Sequence, residues 1–122
     1  MIVIAEELGS SNEVVHIKLS AAKLDNKDYF GKNNDPYIII SKLMEDGTWA
    51  NVHKTEVIKE TLNPDWRPFS MPVASLTGSS PDRKLRFQCH GGNHSGTTDF
   101  IGEFQITYAE LLSGKTFYGI GE

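Results

Sequence analysis

Leu85-Arg86-Phe87-Gln88-Cys89 alternates apolar and polar side chains with a period of two, and that alternation decides the fold class. Such a run presents one face to a core and the other to solvent, as a half-buried strand must. Val15, Ile17 and Leu19 alternate with His16 and Lys18 in the same way. Ile38-Ile39-Ile40 is a compact β-branched run, Trp49 to Val57 is strand-like, and Phe100-Ile101 and Phe104-Ile106 flank Gly102. Turn clusters separate these segments at Gly9–Asn12, Asp25–Pro36, Glu45–Gly47, Asn63–Pro64, Thr77–Asp82 and Gly91–Thr98. Short strands with regular turn punctuation predict an antiparallel sandwich. Trp66, Phe87, Phe104, Ile39 and Ile17 are the expected core. Helix is scarce: the one candidate is Tyr108–Leu112, with Thr107 placed to cap its start and Ser113-Gly114 closing it.

The 122 residues correspond to one domain, large enough to bury a core. Hydrophobic residues at 39% and charged residues at 23% are ordinary globular usage, which excludes a disordered or fibrous chain. Twelve Lys plus Arg against sixteen Asp plus Glu give a formal charge of −4, which argues against a dedicated nucleic-acid binder. The single cysteine, Cys89, excludes an internal disulfide and a multi-cysteine zinc site and suits a reducing compartment. No apolar run approaches the roughly 20 residues of a membrane span, and Met1 opens on no basic leader.

Two loops are long for a domain of this size, and long loops on a rigid scaffold usually carry function. The first, Leu24 to Tyr37, holds Asp25, Asp28 and Asp35 among asparagines and a glycine. Clustered carboxylates suit an oxygen-ligated cation, although Asp and Asn also make Asx turns. An EF-hand is excluded, because Phe30 stands where that loop requires glycine. The second loop, Cys89 to Asp99, contains His90, His94 and Ser95. Two loop histidines could ligate a transition metal, but solvated histidines are the commoner case. Ser95 or Cys89 as a nucleophile lacks any elbow motif, and no enzyme signature stands elsewhere. Asn93-His94-Ser95 fits a glycosylation acceptor, which has no weight without a secretory leader.

Placed in order, several motifs carry a resemblance. The aspartate-bearing loop running into Asp35-Pro36-Tyr37 resembles the first ion-binding loop of C2 domains. Thr55-Glu56-Val57-Ile58-Lys59 with Leu62-Asn63-Pro64-Asp65-Trp66, and Asp99-Phe100-Ile101-Gly102-Glu103-Phe104, resemble two further segments of that family. Ile4-Ala5-Glu6-Glu7-Leu8, Lys27–Lys32, Glu45–Trp49 and Arg67-Pro68-Phe69 narrow the likeness to the second C2 domain of copines. The resemblance implies an eight-stranded antiparallel β-sandwich with at most one short helix. Residues 1–122 would then be a single C2 domain, one module of a larger copine-like protein.

It also implies a function. C2 domains gather aspartates from the first and third loops around calcium, and a lipid phosphate completes the coordination. The matching residues are Asp28, Asp35 and Asp99, with Asn93 offering only a carbonyl oxygen and Gly91 no side chain where the family has aspartates. A carboxylate about 4 Å from a divalent ion is worth roughly 8 kcal/mol at an effective dielectric near 20, before desolvation is subtracted. Even a quarter of that is more than tenfold in affinity, so calcium binding is expected to be weak, around 10⁻⁴–10⁻³ M, or absent. Tyr29, Phe30 and Lys32 at the first loop's tip are membrane-contact candidates, since aromatics seat at the headgroup level. Lys54 and Lys59, with His53 and Lys42 beside them, lie on strands that form a lipid-phosphate-contacting face in some C2 domains. The expected role is calcium-linked docking to anionic phospholipid membrane by a cytoplasmic, peripherally associating, non-enzymatic module. The alternative is a calcium-independent protein-interaction module.

Overall fold

A computed structural model describes residues 1–8, 14–24, 35–78, 80, 82–92, 98–114 and 119–121, without the side chains of Leu8 and Thr98. Seven strands stand among these residues: β1 (Ile2–Leu8), β2 (Val14–Ser20), β3 (Asp35–Leu43), β4 (Trp49–Lys54), β5 (Phe69–Pro72), β6 (Lys84–Gly92) and β7 (Thr98–Thr107). They form two antiparallel sheets, ordered β1-β2-β5 and β4-β3-β6-β7. The expected sandwich is present, with seven strands rather than eight among the described residues. The segment between β4 and β5 adds only an isolated bridge, Ser20 to Asp65.

Alternation fills the core. Val15, Ile17 and Leu19 of β2 are fully buried, and Leu85, Phe87 and Cys89 of β6 face them from the other sheet. Fully burying one such side chain contributes roughly 1.5–3 kcal/mol. Ile39 is the exception to the expected core. Its neighbours Ile38 and Ile40 are buried, and period two turns Ile39 to the outer face, where it is half-buried. Phe104 has the expected phase, opposite Phe87 with ring centroids 4.8 Å apart, yet is only half-buried because β7 is an edge strand.

Trp66 lies outside any strand and is 1% exposed. Its backbone N–H donates to the Leu19 carbonyl at 3.1 Å, and its indole Nε1–H to the Pro36 carbonyl at 3.3 Å, so one residue ties both sheets. Thr55 serves β3 similarly, its hydroxyl accepting the Ile38 N–H at 2.8 Å. Asn63 accepts the Lys23 N–H through its side chain at 3.0 Å, holding Lys23 at φ 53°.

Two short helices close the ends. α2 (Tyr108–Leu111) starts where expected: Thr107 accepts the Glu110 N–H, and Glu110 reaches back to the Thr107 N–H, forming a capping box. The Tyr108 hydroxyl donates to Glu7 Oε1 at 2.9 Å and docks α2 on β1. α1 (Val73–Thr77) is an addition to the single expected helix. Pro72 before it and Gly78 after it, at φ 53°, are the signals that mark it. Arg83 pins it to the β3–β4 hairpin, donating from Nε to the Thr77 carbonyl at 2.7 Å and from Nη1 to the Leu43 carbonyl at 2.6 Å. Gly102 is required by a close approach: a Cβ there would run into the Gly119 carbonyl, where the chain's last described segment crosses β7.

Candidate membrane-docking site

Two of the candidate ion-site residues, Asp35 and Asp99, lie at one end of the four-stranded sheet. β3 begins there with Asp35, β6 ends with Gly91-Gly92, and β7 begins with Thr98-Asp99. Asp35 pairs with Gly92, and Asp99 pairs with Gly91, so the two aspartates flank the same glycine pair from opposite sides. They lie two strands apart and are offset by one residue. Gly91 is the direct cross-strand neighbour of Asp99, so a residue there would project beside it. Asp28 and Asn93, with Tyr29, Phe30 and Lys32, lie outside the described residues. Among the described residues no group of three or more His, Cys, Asp or Glu side chains could hold a metal.

Asp35 also has a structural task. Its Oδ1 accepts the backbone N–H of Glu60 at 2.8 Å, fixing a turn in which Glu60 takes φ 53°. The turn carries the exposed Lys59, and the Ile58 N–H donates to the Pro36 carbonyl at 3.2 Å, so Lys59 is held near the Asp35 end.

The outer face of the same sheet continues from this end as a stripe of rings and cations. The Lys54 ammonium stands 4.6 Å over the Tyr37 ring, a contact that holds the charge without neutralising it. Tyr37 stacks on His90, with centroids 5.6 Å apart, and His90 meets the Phe100 ring edge-on at 5.8 Å. Phe100, next to Asp99, is 46% exposed. Farther along, the Arg86 guanidinium lies 4.4 Å over the Trp49 ring. Burial pushes the His90 pKa down, and the charges of Arg86 and Lys54 push it further. Neither His90 Nε2 nor Arg86 Nε, both shut off from solvent, has a hydrogen-bond partner among the described residues.

Lys54 thus stands on the expected face, Lys59 lies in the turn after β4 rather than on a strand, and the two other supposed companions do not share the face. His53 opposes Ile40 and turns inward, stacking on Phe69 of β5 with centroids 3.8 Å apart and bridging the sheets. Lys42 has the phase of buried Leu85 and lines an open recess of about 440 Å³ with Glu45, Asp46 and Arg83, at the far end of the sheet. Sequence reasoning missed His90, Phe100 and Arg86, with the buried Tyr37 packed among them, as one face. Their signal was the polar phase of β3, β6 and β7, where rings stand in place of solvated side chains. Cys89 is buried, and burial pushes its thiol up to about 12, which removes the nucleophilic thiolate from reach. Trp49 lies on the edge strand β4, and Trp66 is a core residue as expected.

The C2 domain family model matches residues 13–119. Among solved structures, BON1-C2B superposes with a TM-score of 0.71 at 32% identity, covering 83% of this chain and 69% of that one. C2 domain A of plant Extended Synaptotagmin 1 gives 0.60 at 26% identity, covering 80% and 70%. C2 domain A of RIM from Drosophila gives 0.67 at 22% identity over 98% and 97%, a likeness of fold alone.

Proposed function

The chain belongs to the C2 domain family, and on that premise we propose that it docks peripherally on anionic phospholipid membranes. C2 domains are generally binding modules rather than catalysts, and no helix among the described residues is long and apolar enough to cross a membrane. One observation carries the proposal: the Lys54–Tyr37–His90–Phe100 stripe joins a held cation to an exposed ring at the loop end of the sheet. A cation there meets lipid phosphate, and an aromatic ring there seats at the headgroup level. Each lysine near an anionic leaflet contributes about 1 kcal/mol, so Lys54 and Lys59 alone give transient binding, to which Tyr29, Phe30, Lys32 and Phe100 add contact.

Calcium has a reduced part in this scheme. Asp28, Asp35 and Asp99, with the Asn93 carbonyl, would hold the ion, but Gly91 leaves the position across from Asp99 without a carboxylate. The copine-like motif set supports a module of a larger, cytoplasmic protein. Gly91 also favours a second reading, a calcium-independent protein-interaction module on the same face.

Co-sedimentation with phosphatidylcholine vesicles containing phosphatidylserine tests the proposal, in chelator and in ~1 mM calcium, the upper end of the weak-site range. Binding should persist in chelator, weaken with salt and gain little from calcium. Binding that requires micromolar calcium would mean an intact ion site. No binding in either condition would leave the protein-interaction reading.

A further inference from the structure

His90 stands on the outer face near the loop end of the sheet, between Tyr37 of β3 and Phe100 of β7. The charged and titratable groups around it come from all four strands of its sheet. β3 contributes Tyr37 and, at the sheet's end, Asp35, whose Oδ1 is engaged by the Glu60 N–H. β4 contributes the ammonium of Lys54, and β6 the guanidinium of Arg86. β7 contributes Glu103, whose carboxylate oxygens accept from Gln88 at 3.3 Å and Gln105 at 3.2 Å. Lys54 and Arg86 oppose a charge on the imidazole, the carboxylates of Asp35 and Glu103 are engaged by Glu60, Gln88 and Gln105, and the buried Nε2 has no hydrogen-bond partner among the described residues. On the bare face, a charged His90 is opposed by burial and by repulsion.

We infer that His90 couples docking to proton uptake: an anionic lipid phosphate bound on this face draws a solvent proton onto the imidazole, so docking tightens as pH falls. The inference rests on the docking function proposed above and assigns its regulation. A phosphate near Lys54 and Arg86 offsets the repulsion that opposes a charged imidazole. Linkage is reciprocal, so whatever a bound phosphate adds to proton affinity, a bound proton adds to phosphate affinity. Histidine is the side chain whose charge changes in the window where this matters.

The test is equilibrium binding to phosphatidylcholine vesicles containing phosphatidylserine, from about pH 7.5 to 5.5. The native chain should gain about threefold to tenfold over that range, tenfold being the ceiling for a one-unit rise in pKa. His90→Gln should lose this gain, whereas His16→Gln, on the other sheet, should keep it. An NMR titration of the His90 imidazole in the native chain, with and without the vesicles, reads the same coupling without a substitution. Its midpoint should move to higher pH on the vesicles. Binding whose pH slope survives His90→Gln, or an imidazole midpoint unmoved by bound vesicles, overturns the inference and leaves docking standing. No binding at any pH overturns docking, and the proton coupling with it.

Discussion

The Thr55–Trp66 segment and the outer face of β4-β3-β6-β7 touch each other along β3, yet they use their side chains in opposite ways. In the segment nearly every distinctive residue is engaged inward. Thr55 caps the Ile38 N–H, Asn63 holds Lys23, and Trp66 bonds Leu19 and Pro36 while 1% exposed. On the outer face three basic groups are held by rings: Lys54 over Tyr37, Arg86 over Trp49, and His90 between Tyr37 and Phe100. The residues that make the family recognisable build the frame, and the face on that frame is left able to bind.

Substitutions should therefore divide cleanly. Trp66→Ala carries the largest expected effect, since it opens a core cavity and leaves the Pro36 carbonyl without its indole donor. A loss of about 3–5 kcal/mol is expected in chemical denaturation, enough to unfold much of a marginal domain. A loss below about 1 kcal/mol would show that Trp66 is not the tie between sheets.

Next comes the sheet end. Gly91→Asp with Asn93→Asp should tighten calcium binding at least tenfold by calorimetry, because position 91 lies directly across from Asp99. Unchanged affinity would mean that Asp28 and Asp35 do not meet Asp99, and would favour protein interaction. A smaller effect belongs to the stripe itself. Lys54→Ala should weaken vesicle binding about fivefold, the equivalent of ~1 kcal/mol, with the melting temperature nearly unchanged. Tyr29→Ser with Phe30→Ser should likewise reduce vesicle binding and spare the fold; unfolding would place those rings inward and remove them from the membrane contact.

The smallest effect compares two histidines. Burial lowers the pKa of His53 between the sheets and, with Arg86 and Lys54, that of His90 on the face. A folded pKa below the unfolded value means that the unfolded chain binds more protons as pH falls through about 6.5, so stability declines toward pH 5.5. Thermal melts should show this decline, and His53→Phe should flatten it. His90→Gln should also flatten it, and it alone of the two should change the pH response of vesicle binding.

Much of the frame was legible in the sequence, because period two and the turn clusters report burial directly. The Ile38–Ile40 run shows the limit: three adjacent β-branched residues do not reveal their phase, and Ile39 faces outward because its neighbours are buried. α1 was not legible because it has no side-chain cap of the kind that Thr107 and Glu110 give the shorter α2, and only Pro72 and Gly78 mark it. Of the ion-site residues that the resemblance implied, the register places Asp35 across from Gly92 and Asp99 across from Gly91, while Asp28 and Asn93 lie outside the described residues. The stripe was not legible. Tyr37, Lys54, Arg86, His90 and Phe100 come from four strands, and only the pairing of those strands makes them neighbours. His53 shows the converse, for its proximity to Lys54 in sequence suggested a shared face that alternation denies.

The most direct test of docking through this face is an amide NMR map recorded while nanodiscs containing phosphatidylserine are added. Perturbations should concentrate on Tyr37, Lys54, His90 and Phe100 and spare Ile4, His16 and Lys18 on β1 and β2. Perturbations concentrated on Ile4, His16 and Lys18, with Tyr37, Lys54 and His90 unmoved, would contradict docking through this face.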